Sequence, residues 1–431
     1  MIEKLRNILK RAREVGIIRI FSANLINKIV AFIVNILIVR VLTQNEYGIY
    51  SSANNTYSIF TLLIGLGTLS GVLLYGSERR EDSQKIQYYK YSLIVSFIFN
   101  LLLCIAMFIY SVFRKTGVVE SNPYIRLLCL LPLLDYLNSF FNTILRCNKD
   151  NRHYSLMLNV GTISNSFLTL LGGVVCGVLG AIIGRYLSVI ISCVVGSIFV
   201  KETIRRLKVK LILSKIEKKN FLNYSIGMGF SAAIATALYL VDVYLVDFLI
   251  QDSEVLARYK VATLIPDSLG FIPLSVIVAI LPYFAENNHN YQWVLGNFKK
   301  VFISNFIINF IISLGLIIFA PLVISIFGGN NYYESIMPFR ILCGSFFFLG
   351  TFRILSSNLL SVFRRVKENV IISVVSIICD IGLDIIMIPQ YGINGAAFAT
   401  LAVSITASII SVCFLFNTLR NLKEGKIRFD N

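Results

Sequence analysis

The stretch Asn24-Leu-Ile-Asn-Lys-Ile-Val-Ala-Phe-Ile-Val-Asn-Ile-Leu-Ile-Val-Arg-Val-Leu-Thr-Gln-Asn-Glu-Tyr-Gly-Ile-Tyr50 decides the fold. It begins as an apolar helix long enough to cross a bilayer. It ends in a polar turn that leads into a second apolar run. The first helix carries Lys28 near its middle, where a lysine facing lipid costs about 2.5–3.5 kcal/mol. This cost predicts that Lys28 faces a water-filled cavity or protein partners inside a larger membrane protein.

The composition of the whole chain agrees with a membrane protein. Of its 431 residues 56% are hydrophobic and 15% are charged, whereas a soluble domain has roughly 25% charged residues. A soluble core could not absorb so much apolar sequence, so a polytopic membrane protein is predicted. The net charge of +17 does not indicate nucleic acid, because the basic residues lie between the apolar runs, which is typical of membrane orientation signals.

About twelve apolar runs are long enough to span a bilayer at roughly 20 residues each. They lie near 20–42, 56–76, 91–113, 125–146, 155–177, 179–200, 222–249, 261–283, 301–327, 337–363, 368–389 and 395–417.

The connectors between these runs alternate between two kinds. Those in the first set are rich in Lys and Arg, and those in the second are nearly free of them. The basic set is 1–19, 77–90, 146–154, 201–220, 284–300, 364–367 and the tail after 417, and the second set includes 43–47, 177–179, 328–336 and 390–394. Because basic connectors stay inside, both termini are predicted to be cytoplasmic, which requires an even number of spans.

The spans divide into two predicted six-helix lobes, 1–200 and 221–431. Between them, residues 201–220 alternate apolar and basic side chains. This pattern fits either an amphipathic helix on the inner membrane surface or a solvated cytoplasmic linker, and the amphipathic linker is the favoured interpretation.

An internal repeat supports the two lobes. Residues 176–184 match residues 391–399, with glycines 177 and 180 corresponding to 392 and 395 at an offset of half the chain. A weaker match joins residues 47–53 to 256–262. Both matches have the same place in each half, which indicates a parallel duplication.

Cations within the spans are the first candidates for function. Lys28 and Arg353 are predicted near the bilayer midplane, and Arg185 and Arg340 in its outer half. Arg40 lies near the outer end of its helix, where it can snorkel to the interface, and the same alternative applies in part to Arg340. Buried cations are expected to face a wet cavity or a partner charge.

Polar residues of the first helix extend this prediction. Asn24, Lys28 and Asn35 fall on one helical face, with Asn27 beside them. A polar stripe on an apolar helix predicts a water-lined wall, although asparagine also forms ordinary hydrogen bonds between helices.

Carboxylates within the spans are the second group of candidates. Asp135, Asp242, Asp380 and Asp384 lie in the fourth, seventh and eleventh runs, and Asp380 and Asp384 share a helical face. They either pair with the cations or bind a coupling ion, H⁺ or Na⁺, and the sequence leaves the two roles open.

No metal site, cofactor or nucleotide-binding loop is predicted. The eight cysteines lie in or at the ends of apolar runs, so they are interpreted as small hydrophobes. The two histidines, His153 and His289, are far apart in polar connectors. No cleavable signal peptide is evident, because the first apolar run is long enough to span.

The motif Arg40-x-Leu-x-x-x-x-Tyr47-Gly48-x-Tyr50 follows the first helix, and Gly-x-x-Gly-Ala-Ala occupies 392–397. Together with twelve spans in two halves, these features resemble the Wzx-type polysaccharide flippases of the MOP exporter superfamily. The usual proline of the first motif is absent. The second half also has no counterpart to Arg40.

The resemblance implies an all-α, MATE-like fold in the bacterial inner membrane and a function in transport. The substrate would be an oligosaccharide linked by pyrophosphate to undecaprenol, moved to the outer leaflet for O-antigen, capsule or other surface polysaccharide. Its anionic pyrophosphate would meet the cavity cations, and its sugars the asparagines. A polysaccharide polymerase and a chain-length regulator are candidate partners, and no enzymatic activity is expected.

Two other functions remain open. A MATE-like multidrug or cation antiporter would favour a cavity dominated by carboxylates, whereas basic residues here rival them at depth. A membrane polysaccharide polymerase or ligase would carry catalytic groups in a large outer loop, and the predicted outer loops are short.

Overall fold

The computed structural model of the protein describes residues 17–78 and 81–424, without the side chains of residues 17–25, 235, 278, 279 and 366. The regular structure of these ranges is helical. The chain forms two compact units: unit 1 runs to Lys115 and resumes over Val119–Ala233, and unit 2 comprises Thr116–Val118 and the chain from Ile234 onward.

The helices of unit 1 are α1 (Ile17–Val41), α2 (Gln44–Phe60), α3 (Thr68–Ser77), α4 (Asp82–Phe113), α5 (Asn122–Leu128), α6 (Leu131–Cys147), α7 (Asn151–Phe199) and α8 (Lys201–Arg206). A 3₁₀ turn, Thr61–Gly67, joins α2 to α3, and another, Val119–Ser121, precedes α5.

The helices of unit 2 are α9 (Lys215–Ile250, which begins in unit 1), α10 (Ser253–Leu269), α11 (Phe271–Glu286), α12 (Tyr291–Ile318), α13 (Ala320–Phe327), α14 (Ile336–Phe348), α15 (Ile354–Val362), α16 (Val366–Tyr391) and α17 (Ile393–Lys423). A 3₁₀ turn, Asn330–Ser335, precedes α14, and a π-helical segment, Leu349–Arg353, joins α14 to α15.

The corner between α1 and α2 is a capping box. Thr43 Oγ1 accepts from the Glu46 N–H at 3.3 Å, and Glu46 Oε2 accepts from the Thr43 N–H at 2.9 Å. Two backbone donors at the start of α2 are thereby satisfied. The helix consequently begins at Gln44, so the predicted connector 43–47 is mostly helical.

The predicted span 56–76 is not one continuous helix, because the Thr61–Gly67 turn interrupts it. Side chains of α4 hold the interrupted backbone: the Gly65 N–H donates to Asn100 Oδ1 at 2.8 Å, and Ser96 Oγ donates to the Gly65 carbonyl at 3.2 Å. The apolar length of the run gives no sign of this break, although Gly65 and Gly67, both with positive φ, mark its place in the sequence.

Helix α4 has an inverted amphipathic pattern. Ser92, Ser96 and Asn100 are fully buried, whereas Phe97 and Leu102 on other faces are more than half exposed. In a bilayer, apolar side chains can face lipid while polar groups must find partners within the protein. The pattern is therefore that of a membrane-spanning helix.

Helix α7 doubles back on itself at Cys176–Gly177. Gly177 has φ 56° and ψ −137°, a conformation open to glycine, and the two arms pack so closely that a Cβ on Gly180 would lie 2.0 Å from the Gly172 carbonyl oxygen. The turn separates the predicted spans 155–177 and 179–200.

The hairpin between α16 and α17 repeats this geometry. Gly392 has φ 58° and ψ −139°, and a Cβ on Gly395 would lie 2.2 Å from the Met387 carbonyl oxygen. The two turns that the sequence matched at half-chain offset therefore have the same backbone conformation and the same close helix contact.

Aromatic residues form the interior of unit 1 at one end of its helices, where Tyr88, Phe140 and Phe221 are buried together. In unit 2 a comparable cluster includes Phe284 and Leu355. The first cluster joins α6 to α7, and the second joins α12, α15 and α17.

Eight helices of the described ranges are long and apolar enough to cross a membrane, or up to ten if each of two bent helix pairs is one span. The bent pairs are Val119–Leu128 with Leu131–Cys147, and Lys215–Ile234 with Thr236–Ile250. The prediction of an all-α protein with many membrane spans is confirmed.

Segment 201–220 has three parts. It comprises α8, a non-helical stretch over 207–214 and the first turns of α9. The non-helical stretch lies along α4, where Gln87 Oε1 accepts from the Ile212 N–H at 2.9 Å and Lys90 donates to the Val209 carbonyl at 2.5 Å. It is therefore not one continuous amphipathic helix.

Candidate functional site

Four polar side chains meet in unit 1 between α2, α6 and the second arm of α7. Arg185 Nη1 donates to Asn54 Oδ1 at 2.7 Å, and Arg185 Nη2 lies 3.4 Å from Asp135 Oδ2. The guanidinium carbon stands 4.4 Å from the centroid of the Tyr57 ring, and the Tyr57 hydroxyl donates to Asp135 Oδ2 at 2.5 Å. The cluster thus contains an ion pair, a cation–π contact and a hydroxyl–carboxylate hydrogen bond.

The charges in this cluster balance. Arg185 and Asp135 side chains are 24% and 25% exposed, so each is partly removed from water and faces its opposite charge. The sequence left open whether Asp135 pairs with a cation, and in the structure it pairs with Arg185. Because its charge is matched, Arg185 is less available to an anionic ligand than a lone cation would be.

The first-helix motif leads into this cluster. Tyr47 and Gly48 are buried in the first turns of α2, and the Tyr50 carbonyl accepts from Asn54 Nδ2 at 2.9 Å. Tyr50, Asn54 and Tyr57 share one helical face. The motif residues therefore orient the helix that supports Arg185.

The candidate functional residues of α1 differ in their exposure. Lys28, Asn35 and Arg40 are exposed at the surface of unit 1, whereas Asn27 is buried and its Oδ1 has no hydrogen-bond partner within the described residues. The side chain of Asn24 lies outside the described part of the chain. The four side chains that form the Arg185 cluster belong to α2, α6 and α7.

Three carboxylates meet in unit 2. Oxygens of Asp242 on α9 and of Asp380 and Asp384 on α16 all lie within 4.8 Å of one another, and the three residues are buried. The Thr400 hydroxyl of α17 donates to Asp242 Oδ2 at 2.6 Å. The predicted shared face of Asp380 and Asp384 thus points at a third carboxylate.

These carboxylates are short of partners. Both oxygens of Asp380, both of Asp384 and Oδ1 of Asp242 accept no hydrogen bond from any described residue. Three adjacent negative charges in a low dielectric repel one another, so the site requires bound protons or a small cation. A set of carboxylate and hydroxyl oxygens fits a hard cation.

A cavity of about 80 Å³ adjoins the carboxylates within unit 2. Asp242 and Asp380 line one part of it, and Arg353 lines another, with Tyr239 and Asp267 also in the wall. The cavity therefore presents both signs of charge to whatever occupies it.

Arg353 is held differently from Arg185. Its Nη1 donates to Ser376 Oγ at 3.0 Å and its Nη2 to Ser373 Oγ at 3.2 Å, both on α16. No carboxylate in the described ranges forms an ion pair with it. The remaining guanidinium donors are available to a ligand in the cavity.

Arg340 is not part of the wall of this cavity. Its Nε donates to the Ile317 carbonyl at 3.1 Å, at the carboxyl end of α12. A cation at that end satisfies a terminal carbonyl and interacts favourably with the helix dipole. Arg340 and Arg353 therefore occupy separate places, although both were predicted as cavity cations.

Sequence reasoning missed several residues of these clusters. Asn54, Tyr57, Asp267 and Thr400 were not singled out, because each is common on membrane helices. Asp267 alone carried a usable signal, since it is a carboxylate within the predicted span 261–283.

The family model described as polysaccharide biosynthesis protein matches residues 15–288. The chain belongs to this family. A comparison with curated proteins gave no match.

Solved structures match this polysaccharide biosynthesis protein over nearly its full length. The lipid II flippase MurJ, in an inward closed conformation, is 15% identical with a TM-score of 0.76, covering 96% of this chain and 94% of that one. An inward-facing multidrug resistance MATE transporter of the MOP superfamily is 17% identical with a TM-score of 0.68, covering 91% and 99%. A MOP superfamily transporter from Pyrococcus furiosus is 17% identical with a TM-score of 0.63, covering 95% of each chain.

These likenesses show the fold, which is that of MATE and MurJ transporters. The predicted resemblance to proteins of surface polysaccharide production is confirmed at the level of the polysaccharide biosynthesis family, and so is the MATE-like fold. The protein is accordingly a multi-pass membrane protein of polysaccharide biosynthesis with a transporter fold.

Proposed function

We propose that this protein is a flippase that moves undecaprenyl-pyrophosphate-linked oligosaccharide repeat units from the cytoplasmic to the outer leaflet of the bacterial inner membrane. The observation that carries this proposal is Arg353, a cation in a membrane-spanning helix that lines a cavity and is bound only to hydroxyls among the described residues. Family membership and the fold shared with a lipid II flippase support the same substrate class.

The substrate explains why such a cation would be retained. A pyrophosphate cannot enter hydrocarbon without replacing its hydration, and guanidinium donors supply charge-assisted hydrogen bonds. We place Arg353 at the pyrophosphate, with Lys28, Arg185 and Arg340 as further contacts to pyrophosphate or acidic sugars. Asn24, Asn27 and Asn35 would hydrogen-bond the sugars. A negative-inside potential assists export of an anion by about 2.3 kcal/mol per charge per 100 mV.

A twelve-span topology with cytoplasmic termini belongs to this proposal. The count of eight to ten treats the α7 hairpin as one span and does not include α1. Counting both arms of the hairpin, both bent pairs and α1 yields twelve. The basic connectors then all fall on the cytoplasmic side. Alternating access by the two six-helix lobes, 1–200 and 221–431, would follow.

The carboxylate cluster supplies a coupling site. Asp242, Asp380 and Asp384 would bind Na⁺ or exchange protons, and occupancy would change the charge of the cavity that Arg353 shares. Asp135 is assigned to its ion pair with Arg185 instead.

A MATE-like antiporter of cations or drugs is the second candidate. The same carboxylates favour it, since an organic cation could bind beside Asp242 and Asp380. The transporter fold supports either transport function over a membrane polymerase or ligase.

The deciding experiment is analysis of lipid-linked intermediates after deletion of the gene. A flippase predicts accumulation of oligosaccharide-linked undecaprenyl pyrophosphate that faces the cytoplasm, together with loss of surface polysaccharide. Unchanged intermediates with increased sensitivity to cationic drugs would overturn the proposal in favour of the antiporter. Accumulation of units in the outer leaflet would indicate a polymerase defect. Co-purification would test the candidate partners, a polymerase and a chain-length regulator.

A further inference from the structure

The π-helical segment Leu349–Arg353 interrupts an otherwise α-helical span. Such a segment inserts one extra residue into the helix. Since an α-helix advances by about 100° per residue, every later side chain is rotated by about that angle relative to an uninterrupted helix. Arg353 is the last residue of the segment, so its direction depends on the insertion.

An insertion of this kind leaves backbone groups that a membrane cannot satisfy, and α12 supplies a partner to one of them and to a neighbouring hydroxyl. Asn305 Nδ2 donates to the Gly350 carbonyl at 2.8 Å, and Asn309 Nδ2 donates to Thr351 Oγ1 at 3.2 Å. The two asparagines are one turn apart and almost fully buried. They therefore form a matched pair of amides facing the π-helical segment.

This arrangement is costly for a purely structural contact. Neither the Asn305 nor the Asn309 Oδ1 atom has a hydrogen-bond partner among the described residues. Contact at Gly350 is also tight, because a Cβ there would lie 3.1 Å from Asn309 Nδ2 and 3.3 Å from Pro273 Cγ. A regular helix with apolar neighbours would avoid both costs.

The two sides of the segment have different surroundings. Leu349, Gly350 and Arg353 line the cavity, whereas Phe352 packs on Phe302 with ring centroids 5.5 Å apart. A rotation of about 100° would move Arg353 away from the cavity and from its serine partners on α16.

We infer that Asn305 and Asn309 are positioning residues: by holding the π-helical segment they direct Arg353 into the cavity. The positioning stands on geometry alone. Its consequence for transport rests on the proposed function, in which Arg353 meets the pyrophosphate.

The test is the reactivity of a cysteine at position 353. Arg353→Cys is made in a chain whose eight native cysteines are replaced, and labelling by a small water-soluble thiosulfonate is timed. Adding Asn305→Leu removes the amide that satisfies Gly350, and labelling is expected to slow about tenfold. Asn309→Leu is expected to act in the same direction.

Two variants distinguish positioning from general damage. Asn305→Gln keeps the amide and is expected to label within about twofold of the parent. Ser313→Ala removes a buried hydrogen bond from the same face of α12 to the Cys343 carbonyl, before the π-helical segment, and is expected to leave labelling unchanged. If Asn305→Leu fails to fold, Asn309→Leu carries the test. Unchanged labelling in the leucine variants, or equal slowing in Ser313→Ala, would overturn the inference.

A second measurement separates this inference from the proposed function. With Arg353 and the native cysteines present, binding of inorganic pyrophosphate to the purified protein is measured for Asn305→Leu and Arg353→Ala. Similar losses of about tenfold support both ideas. Slow labelling with unchanged pyrophosphate binding would keep the positioning role and refute the role of Arg353 in binding pyrophosphate.

Discussion

Arg185 in unit 1 and Arg353 in unit 2 both lie in membrane-spanning helices, and the two are surrounded differently. In unit 1, Arg185 contacts a carboxylate, an amide and an aromatic ring. In unit 2, Arg353 contacts two serine hydroxyls, while Asp242 and Asp380 lie elsewhere on the wall of the same cavity. The Arg185 cluster of unit 1 thus pairs its charges, and the cavity of unit 2 keeps Arg353 apart from the carboxylates.

The difference indicates where ligands act. A matched pair needs nothing further from outside the protein. Separated charges in a low dielectric leave donors and acceptors short of partners. A cation can bind the carboxylate acceptors, and an anionic group can bind the guanidinium donors. Unit 2 is therefore the better candidate for coupling and for contact with pyrophosphate, and unit 1 for a fixed polar wall.

The largest expected effect is at the carboxylate cluster. Asp380→Asn and Asp384→Asn each remove a charged ligand, so ion-dependent transport in proteoliposomes should fall on the order of 100-fold. Asp252→Asn, which keeps a side-chain oxygen able to cap α10, serves as the control. Retention of full Na⁺ or pH dependence in both cluster variants would contradict a coupling role.

Replacement of Arg353 should come next. Arg353→Ala is expected to lower export of surface polysaccharide on the order of 30-fold at normal protein abundance, because charge-assisted contacts are lost. Export by Arg353→Lys should lie between that of the parent and that of Arg353→Ala, since an ammonium keeps the charge but cannot form the same fork of hydrogen bonds. Arg420→Ala, at an exposed site, is the matched control. Normal export by Arg353→Ala would remove this residue from the mechanism.

Arg185 should respond as a member of a pair. Arg185→Ala leaves the Asp135 carboxylate without its cation and is expected to lower stability by about 2 kcal/mol, measured by thermal unfolding in detergent. The neutral double variant Arg185→Gln with Asp135→Asn should recover most of that loss. If the double variant is as unstable as the single one, the unpaired charge of Asp135 does not explain the loss of stability.

The two hairpin glycines permit a direct comparison between units. Gly177→Ala and Gly392→Ala should each cost about 1–2 kcal/mol from backbone strain. Gly177→Ala should cost more, because its Cβ would lie 2.6 Å from Glu46 Oε1, whereas nothing lies within 4 Å at Gly392. Melting temperatures of the two variants check the order, and the reverse order would contradict the predicted contact.

The smallest effects are expected at the caps of α2 and α10. Thr43→Ala and Asp252→Ala each remove a side chain that accepts backbone N–H bonds, at a cost of about 1 kcal/mol. Thr43→Ala should be the more damaging, since Thr43 forms a reciprocal box with Glu46. Equal melting temperatures for parent and both variants would show that these caps contribute little.

Much of the fold was predictable because the bilayer imposes it. Apolar length alone located most spans, and glycine spacing located the turns at Gly177 and Gly392. The 3₁₀ turn over Thr61–Gly67 and the π-helical segment over Leu349–Arg353 do not follow from apolar length, because side chains of α4 and α12 help to stabilise them.

By itself, the sequence determined that the chain crosses a membrane repeatedly, that the turns at Gly177 and Gly392 correspond and that Asp380 and Asp384 share a helical face, since these depend on local composition, glycine spacing and helical period. Only the tertiary structure decided that Asp135 pairs with Arg185, that Asp242 joins Asp380 and Asp384, and that Arg340 and Arg353 have different surroundings. Those relations join helices far apart in the chain. Which charges meet is therefore a property of packing and not of any segment.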